Sequence, residues 1–313
     1  MPSEAFQLPD DYQTALDQGW LPIRDVARQT GVNAVTLRAW ERRYGLIVPG
    51  RTPKGHRLYN SEHVARIQAI LTWLNRGVAV SQVNELLNSR SAAPQPQASQ
   101  WSEQRQQLLE AVLQLSERQL DDLFNRNLAL YPPRTLCEQL LLPLLSELEQ
   151  RWQGQFGSQL EWVFFHSWLR SKLGARLYHN NRQHSGAPLL LLNLSSLPLE
   201  AGLWLSAWLA SSADCPVEVF DWPVPLGELS LALEQLKPRA VLLYSSQSLD
   251  SSVLRKQLPR LASTSAIPLL LAGPAARIHH DELHDMPGLS LAVTPLNALH
   301  SLQEHQLLPG AVQ

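Results

Sequence analysis

Residues 35–59 read VTLRAWERRYGLIVPGRTPKGHRLY, a basic, aromatic stretch followed directly by a basic loop that closes on Gly55-His56-Arg57-Leu58-Tyr59. Asn33 is a strong N-cap for a helix beginning here. Val35, Leu37, Trp40 and Tyr44 supply its packing contacts, and Thr36, Arg38, Glu41, Arg42 and Arg43 are expected to stay available to solvent or a ligand. Gly45 reads as the residue just past the helix end. Pro49, Pro53 and Gly55 then shape a loop that carries Arg51, Lys54, His56 and Arg57.

Upstream, Ile23, Val26, Ala27 and Val32 give a shorter helix an apolar face, and Thr30-Gly31-Val32 supplies the tight turn that ends it. Two helices joined by a tight turn, with a basic loop behind them, form the layout of a winged helix-turn-helix whose second helix enters the major groove of duplex DNA. The charge distribution points the same way. Residues 21–87 hold ten bases against four acids, a net +6, while the rest of the chain is −8 and the whole is −2. A basic head on an acidic body is the electrostatic footprint of a DNA-binding module.

With these residues in view, the segment resembles the N-terminal domain of the MerR family of transcription regulators. The resemblance rests on T-L-R-A-W-E-R-R-Y-G-L followed by G-H-R-L-Y, and on a further helix pair around Val64-Ala65-Arg66-Ile67 and Gly77-Val78-Ala79-Val80-Ser81. It implies that Thr36, Arg38 and Arg43 face the groove and that His56, Arg57 and Tyr59 belong to the wing and its phosphate or minor-groove contacts. Arg42, Arg51 and Lys54 complete the expected DNA-binding set. Trp40 and Tyr59 also have a second reading as core aromatics.

Beyond a Ser-, Pro- and Gln-rich linker at 88–100, NSRSAAPQPQASQ, the pattern becomes helical. Leucine-rich helical spacing over 101–182 predicts a four-helix bundle, with a break at Pro132-Pro133 and later helices near 136–152 and 159–178. From Pro188, short apolar runs alternate with helical segments. Strands are expected at 189–194, 217–220, 240–244, 268–272 and 289–293, giving a flavodoxin-like doubly wound domain over 187–309. Residues 1–20 form an N-terminal extension. They show no signal peptide, and no apolar run is long enough to cross a membrane, so a cytoplasmic location is expected. Cys137 and Cys215 are isolated in apolar contexts and suggest neither a disulfide framework nor a metal site.

The order of head, bundle and flavodoxin-like domain resembles the CarH/LitR group, whose last two modules bind adenosylcobalamin and sense light. Its motifs are only partly kept. Gly202-Leu203 match the end of the group's His-x-x-Gly-Leu motif, which puts Leu199 in the place of the cobalt-binding His, and leucine has no lone pair for a metal. If Trp152 takes the place of the bundle's motif Trp, then Trp162 and Val163 stand where Glu-His should follow. The group's Gly-Gly reads Gly273-Pro274. These departures predict a cobalamin-binding architecture without cobalamin. Trp162, Phe164, Phe165 and Trp168 then fill the corrin volume or serve as ordinary bundle core or an oligomer contact.

His280 and His284 stand at i, i+4, but no distant third ligand accompanies them, so no metal is expected. No Gly-x-Ser-x-Gly elbow, Walker A loop or Gly-x-Gly-x-x-Gly signature is present, and no enzyme is expected. The expectation is a homo-oligomeric DNA-binding repressor whose C-terminal modules answer to a partner protein. The resemblance implies a flavin-based LOV photoreceptor, because such receptors accompany group members that lack the cobalt ligand. The alternative is a direct sensor of adenosylcobalamin or of another small ligand such as a cyclic dinucleotide.

Overall fold

The structure, a computed structural model, describes residues 12–88, 98–154 and 156–308; most of the N-terminal extension and positions 89–97 of the expected linker lie outside them. The chain forms two compact units, 1–158 and 159–313.

The first unit opens with α1 (Tyr12–Asp17), the short strand β1 (Leu21–Pro22) and α2 (Ile23–Thr30), which ends on Gly31 in the left-handed conformation. The second helix of the motif, α3 (Ala34–Ala39), starts at Asn33, whose side chain accepts from the Thr36 N–H at 2.8 Å. It continues through a wider i→i+5 turn over Trp40–Tyr44 and stops at Gly45, φ +59°. The wing is a hairpin of β2 (Gly50–Arg51) and β3 (Arg57–Tyr59), and β3 also pairs antiparallel with β1. Asn60 and His63 then cap α4 (Ser61–Asn75) reciprocally, and α5 (Val80–Asn88) follows. Part of the N-terminal extension belongs to the core of this head, since Ala15 and Trp20 are buried against Leu58.

The buried face of the second helix corrects the sequence reading by one position. Thr36, Leu37 and Trp40 are buried, whereas Val35 is 60% exposed. Positions 36, 37 and 40 share one side of a 3.6-residue helix and position 35 sits on the other, so spacing overrides the hydrophobicity of valine and the polarity of threonine.

After the head come α6 (Ala98–Leu113), α7 (Glu117–Leu128), α8 (Pro133–Leu136) with a wide turn at Cys137–Leu141, and α9 (Leu142–Arg151). Pro143 has no N–H for the carbonyl four residues back, which accounts for the widened turn just before it. These helices are fastened to the head. The Trp40 indole N–H donates to the Leu130 carbonyl at 2.8 Å, the Trp101 indole to the Gly77 carbonyl at 2.9 Å, and the Thr135 hydroxyl to the Asn75 side chain at 3.0 Å.

The second unit begins with α10 (Ser158–Asn181), the fourth of the helices expected between 101 and 182. Five parallel strands follow: β4 (Leu189–Asn193), β5 (Val217–Pro223), β6 (Ala240–Tyr244), β7 (Leu269–Ala272) and β8 (Leu289–Ala292), in the order β5-β4-β6-β7-β8. That is the flavodoxin-like order expected from the sequence. Strands β4, β6 and β7 are buried at every position, as their unbroken apolar runs require. Helix α11 (Ala201–Ser212) is buried from Ala201 to Ser211, and its sequence is apolar on all sides to match. The outer edge of β5 is met by α10, where the Asn181 side chain donates to the Val217 carbonyl at 2.7 Å and accepts from its N–H at 3.1 Å. Helices α12 (Leu229–Leu236), α13 (Leu258–Thr264), α14 (Pro274–Ile278), α15 (His280–Leu283) and α16 (Pro295–Glu304) complete the layers. Among the described residues no helix is long and apolar enough to cross a membrane.

Replacing Trp40 by Phe keeps an aromatic ring but leaves the half-buried Leu130 carbonyl without this donor. The expected cost is about 1–3 kcal/mol in a urea melt of the full chain. A melt superimposable on wild type would show that the indole does not anchor the reading helix.

Candidate nucleic-acid interface and cofactor crevice

Val35, Arg38 and Arg42 recur at i, i+3 and i+7 and are all exposed, so the outward stripe of the second helix carries one apolar and two cationic side chains. An apolar side chain beside cations suits a groove, where it meets thymine methyl groups while guanidinium groups read guanine edges. Val35 escapes the sequence reading because a valine two residues before a leucine looks like core. Arg38 also lines a cleft of about 200 Å³ with Tyr12, Pro22, Ile23, Gly55, His56 and Arg57, which brings the wing tip next to the reading helix.

The other expected DNA contacts divide by environment. Arg42, Arg43, Arg51, Lys54 and His56 are exposed. Thr36 and Tyr59 are buried to 0% and 1% exposure, and neither hydroxyl has a hydrogen-bond partner. Both are packing groups in this structure, and burial pushes the Tyr59 hydroxyl up to about 12. Arg43 sits one position round the helix from the outward stripe. It lines an open cleft of about 580 Å³ with Asp122, Asn125, Arg126 and Ala129 of the α7 region.

Arg57 is not a free cation. Its Nε donates to Glu41 Oε2 at 2.6 Å, and Arg51 donates to Oε1 of the same carboxylate, also at 2.6 Å. Burial alone would raise the Glu41 pKa, but the hydrogen bonds and charges of Arg57 and Arg51 outweigh it and hold the carboxyl below its ordinary value. Glu41 therefore clamps both strands of the wing hairpin to the reading helix. A second tie comes from His63, whose Nδ1 accepts from the Asn60 N–H at 3.1 Å while Nε2 donates to the Val48 carbonyl at 2.9 Å at the base of the wing.

In the second unit, Leu199 lies in the loop between β4 and α11 and is buried at 8% exposure. Gly202 opens α11, and Gly273, φ +93°, follows β7 just before Pro274. A hydrocarbon at Leu199 offers cobalt no donor, and the space beside Gly202 and Gly273 holds the Tyr244 side chain. These residues do not fit a cobalt corrinoid.

Trp162 is half-buried on α10 and Val163 is 44% exposed, while Trp152 ends α9 in the first unit. The Trp162 ring stacks on His166 at 4.2 Å, and the buried Phe165 and Trp168 rings lie 5.7 Å apart. His166 donates from Nδ1 to the Trp162 carbonyl at 2.9 Å; burial pulls its pKa down to about 4 against that bond. His280 and His284 are stacked at 5.3 Å on an exposed turn, and no group of three or more metal-binding side chains occurs among the described residues. Both cysteines are buried and unpaired, and burial raises their pKa values.

Comparison with known proteins places this geometry. Residues 21–90 match the family described as MerR HTH family regulatory protein, and residues 104–177 match the B12 binding domain. The HTH-type transcriptional regulator MlrA of Escherichia coli is 31% identical over 69% of this chain and 82% of its own length. The HTH-type transcriptional repressor CarH of Myxococcus xanthus is 27% identical over 82% of this chain and 90% of its own. MlrA of Salmonella typhimurium is 40% identical over 127 residues, and there the chain spans about half the relative's length, 51%. The chain belongs to the MerR family of HTH-type transcriptional regulators, in its CarH-like branch with a B12-binding-type module. All of these relatives are named as transcription regulators rather than enzymes, in keeping with the sequence reading.

Two expected outcomes follow from the ion pairs and the buried imidazole. Glu41→Gln leaves two guanidinium groups without a counter-charge, so it should cost about 1–3 kcal/mol while tightening binding to random duplex DNA, read by urea melts and fluorescence anisotropy. His166 binds a proton more readily unfolded, near 6.5, than folded, near 4. Stability should thus be full above about pH 6.5 and fall by up to about 3 kcal/mol as pH drops toward 4. A His166→Phe chain should lose that part of the acid slope in melts taken across the same range.

Proposed function

We propose that this chain is a homo-oligomeric transcriptional repressor that reads promoter DNA with Val35, Arg38 and Arg42 and grips the flanking backbone with Lys54, His56 and Arg51. The carrying observation is the exposed stripe of those three residues beside a wing that Glu41 fixes in place. A reading helix and a wing held in one geometry meet the groove and the adjacent phosphates together, which is how phosphate contacts set register for base contacts. Arg57 and Tyr59 serve this interface from within, one as a strut of the ion pair and the other as packing under the wing.

In this reading the helices between 101 and 182 act as a four-helix bundle that joins copies of the chain. The flavodoxin-like domain receives a signal from a partner protein of the LOV photoreceptor type, and cobalamin binding is lost. Support for the loss comes from Leu199 at the position of the cobalt ligand and from Tyr244 beside the two glycines.

The test has a DNA arm and a cofactor arm. Arg42→Ala should cost about 1–3 kcal/mol on operator DNA and relax one base preference, whereas Lys54→Ala should weaken all duplexes and reduce the salt slope by about one. Wild-type affinity and slope in both variants would overturn the docking. For the cofactor, the pure chain is mixed with adenosylcobalamin in the dark and gel-filtered. A protein peak without corrin absorbance is expected, and co-eluting corrin would overturn the partner reading in favour of direct sensing.

A further inference from the structure

The carboxyl ends of β4, β6 and β7 surround the topological switch point, where doubly wound sheets ordinarily receive a ligand. Here a side chain of the domain itself stands in that crevice. Tyr244, the last residue of β6, is 6% exposed. A β-carbon built on Gly202 would lie 1.9 Å from its hydroxyl oxygen and 2.4 Å from Cζ; one built on Gly273 would lie 2.9 Å from Cζ and 2.6 Å from the Ser245 carbonyl oxygen. The ring therefore spans the gap between the start of α11 and the loop after β7, and only glycine fits at either end.

The loops at these strand ends are tied to one another by their own polar groups. Glu200, 4% exposed, accepts from the Ser246 N–H at 2.9 Å and from its hydroxyl at 2.8 Å. Gln247 Oε1 accepts from the Ser196 N–H at 3.0 Å and from its hydroxyl at 2.8 Å, tying the loop after β6 to the loop after β4. His279 Nε2, from the segment after β7, accepts from the Leu249 N–H at 3.0 Å. Three loops that would have to part for a ligand are hydrogen-bonded to one another.

We propose that Tyr244 is a built-in occupant of the switch-point crevice: it takes the volume of a ligand's aromatic portion, and Gly202 must be glycine to seat it. Ligand exclusion at this site then lies in one side chain, in addition to the missing metal ligand at Leu199. The proposal rests on the reading that the domain works without cobalamin, and it extends that reading to any flat aromatic ligand of the crevice.

The test is a thermal-unfolding cycle on the full chain with Gly202→Ala, Tyr244→Ala and the double variant. Gly202→Ala should lower Tm by about 5 °C or more when Tyr244 is present and by no more than about 1 °C when it is absent. Should Tyr244→Ala fail to fold, Tyr244→Leu keeps an apolar stem in the strand and completes the cycle in its place. Equal losses in both backgrounds would overturn the proposal, whatever the chain does with cobalamin. Corrin co-eluting with the wild type while the coupling persists would instead sink the cobalamin-free reading and the ligand exclusion built on it, and leave only the seating of Tyr244 intact.

Discussion

Trp40 and Glu41 are adjacent in the chain and hold the reading helix from two directions. The indole of Trp40 reaches inward to the Leu130 carbonyl, and the carboxylate of Glu41 reaches sideways to Arg51 and Arg57 of the wing. Each bond alone is modest, but together they fix a short helix that ends in a wide turn and would otherwise have little to define its angle. The exposed stripe of Val35, Arg38 and Arg42 points where it does because these neighbours are both engaged. Nearly every proposed DNA contact depends on that geometry.

The fold was largely legible in the sequence because its signals are local. Asn33, Gly31 and Gly45 punctuate the two helices, and the unbroken apolar runs of β4, β6 and β7 could only be strands buried on both faces. The site was legible to a smaller degree. Which of Val35 and Thr36 faces inward turns on a phase difference of one residue, and the phase was set by hydrophobicity instead of by Trp40. The fate of Arg57 depends on Glu41, sixteen positions away, a pairing that only the wing hairpin creates. Tyr244 escaped for the same reason. At the end of an apolar strand it reads as one more core residue, and its contact with Gly202 and Gly273 arises only when three strand ends converge.

The two units handle polarity in opposite ways. In the head, cations are left outward and a single carboxylate is sacrificed to order two of them. In the flavodoxin-like domain, the polar side chains of the strand-end loops are turned on one another, with Asn193 alone donating to the Leu197 and Asp221 carbonyls and accepting from Ser195. The first arrangement leaves interaction capacity for a highly charged partner. The second uses it up internally, which holds the strand-end loops in one arrangement.

Trp101, Leu130 and Thr135 all lie beyond the Ser-, Pro- and Gln-rich segment, yet each completes a hydrogen bond begun in the head. The natural place to cut this chain is therefore not that segment but the short connection between α9 and α10, where the compact units divide. A recombination event that moved residues 12–88 alone onto another sensor would carry Trp40 away from its acceptor. Evolutionary shuffling of such heads, or their reuse in hybrid regulators, should carry α6 to α9 along with them.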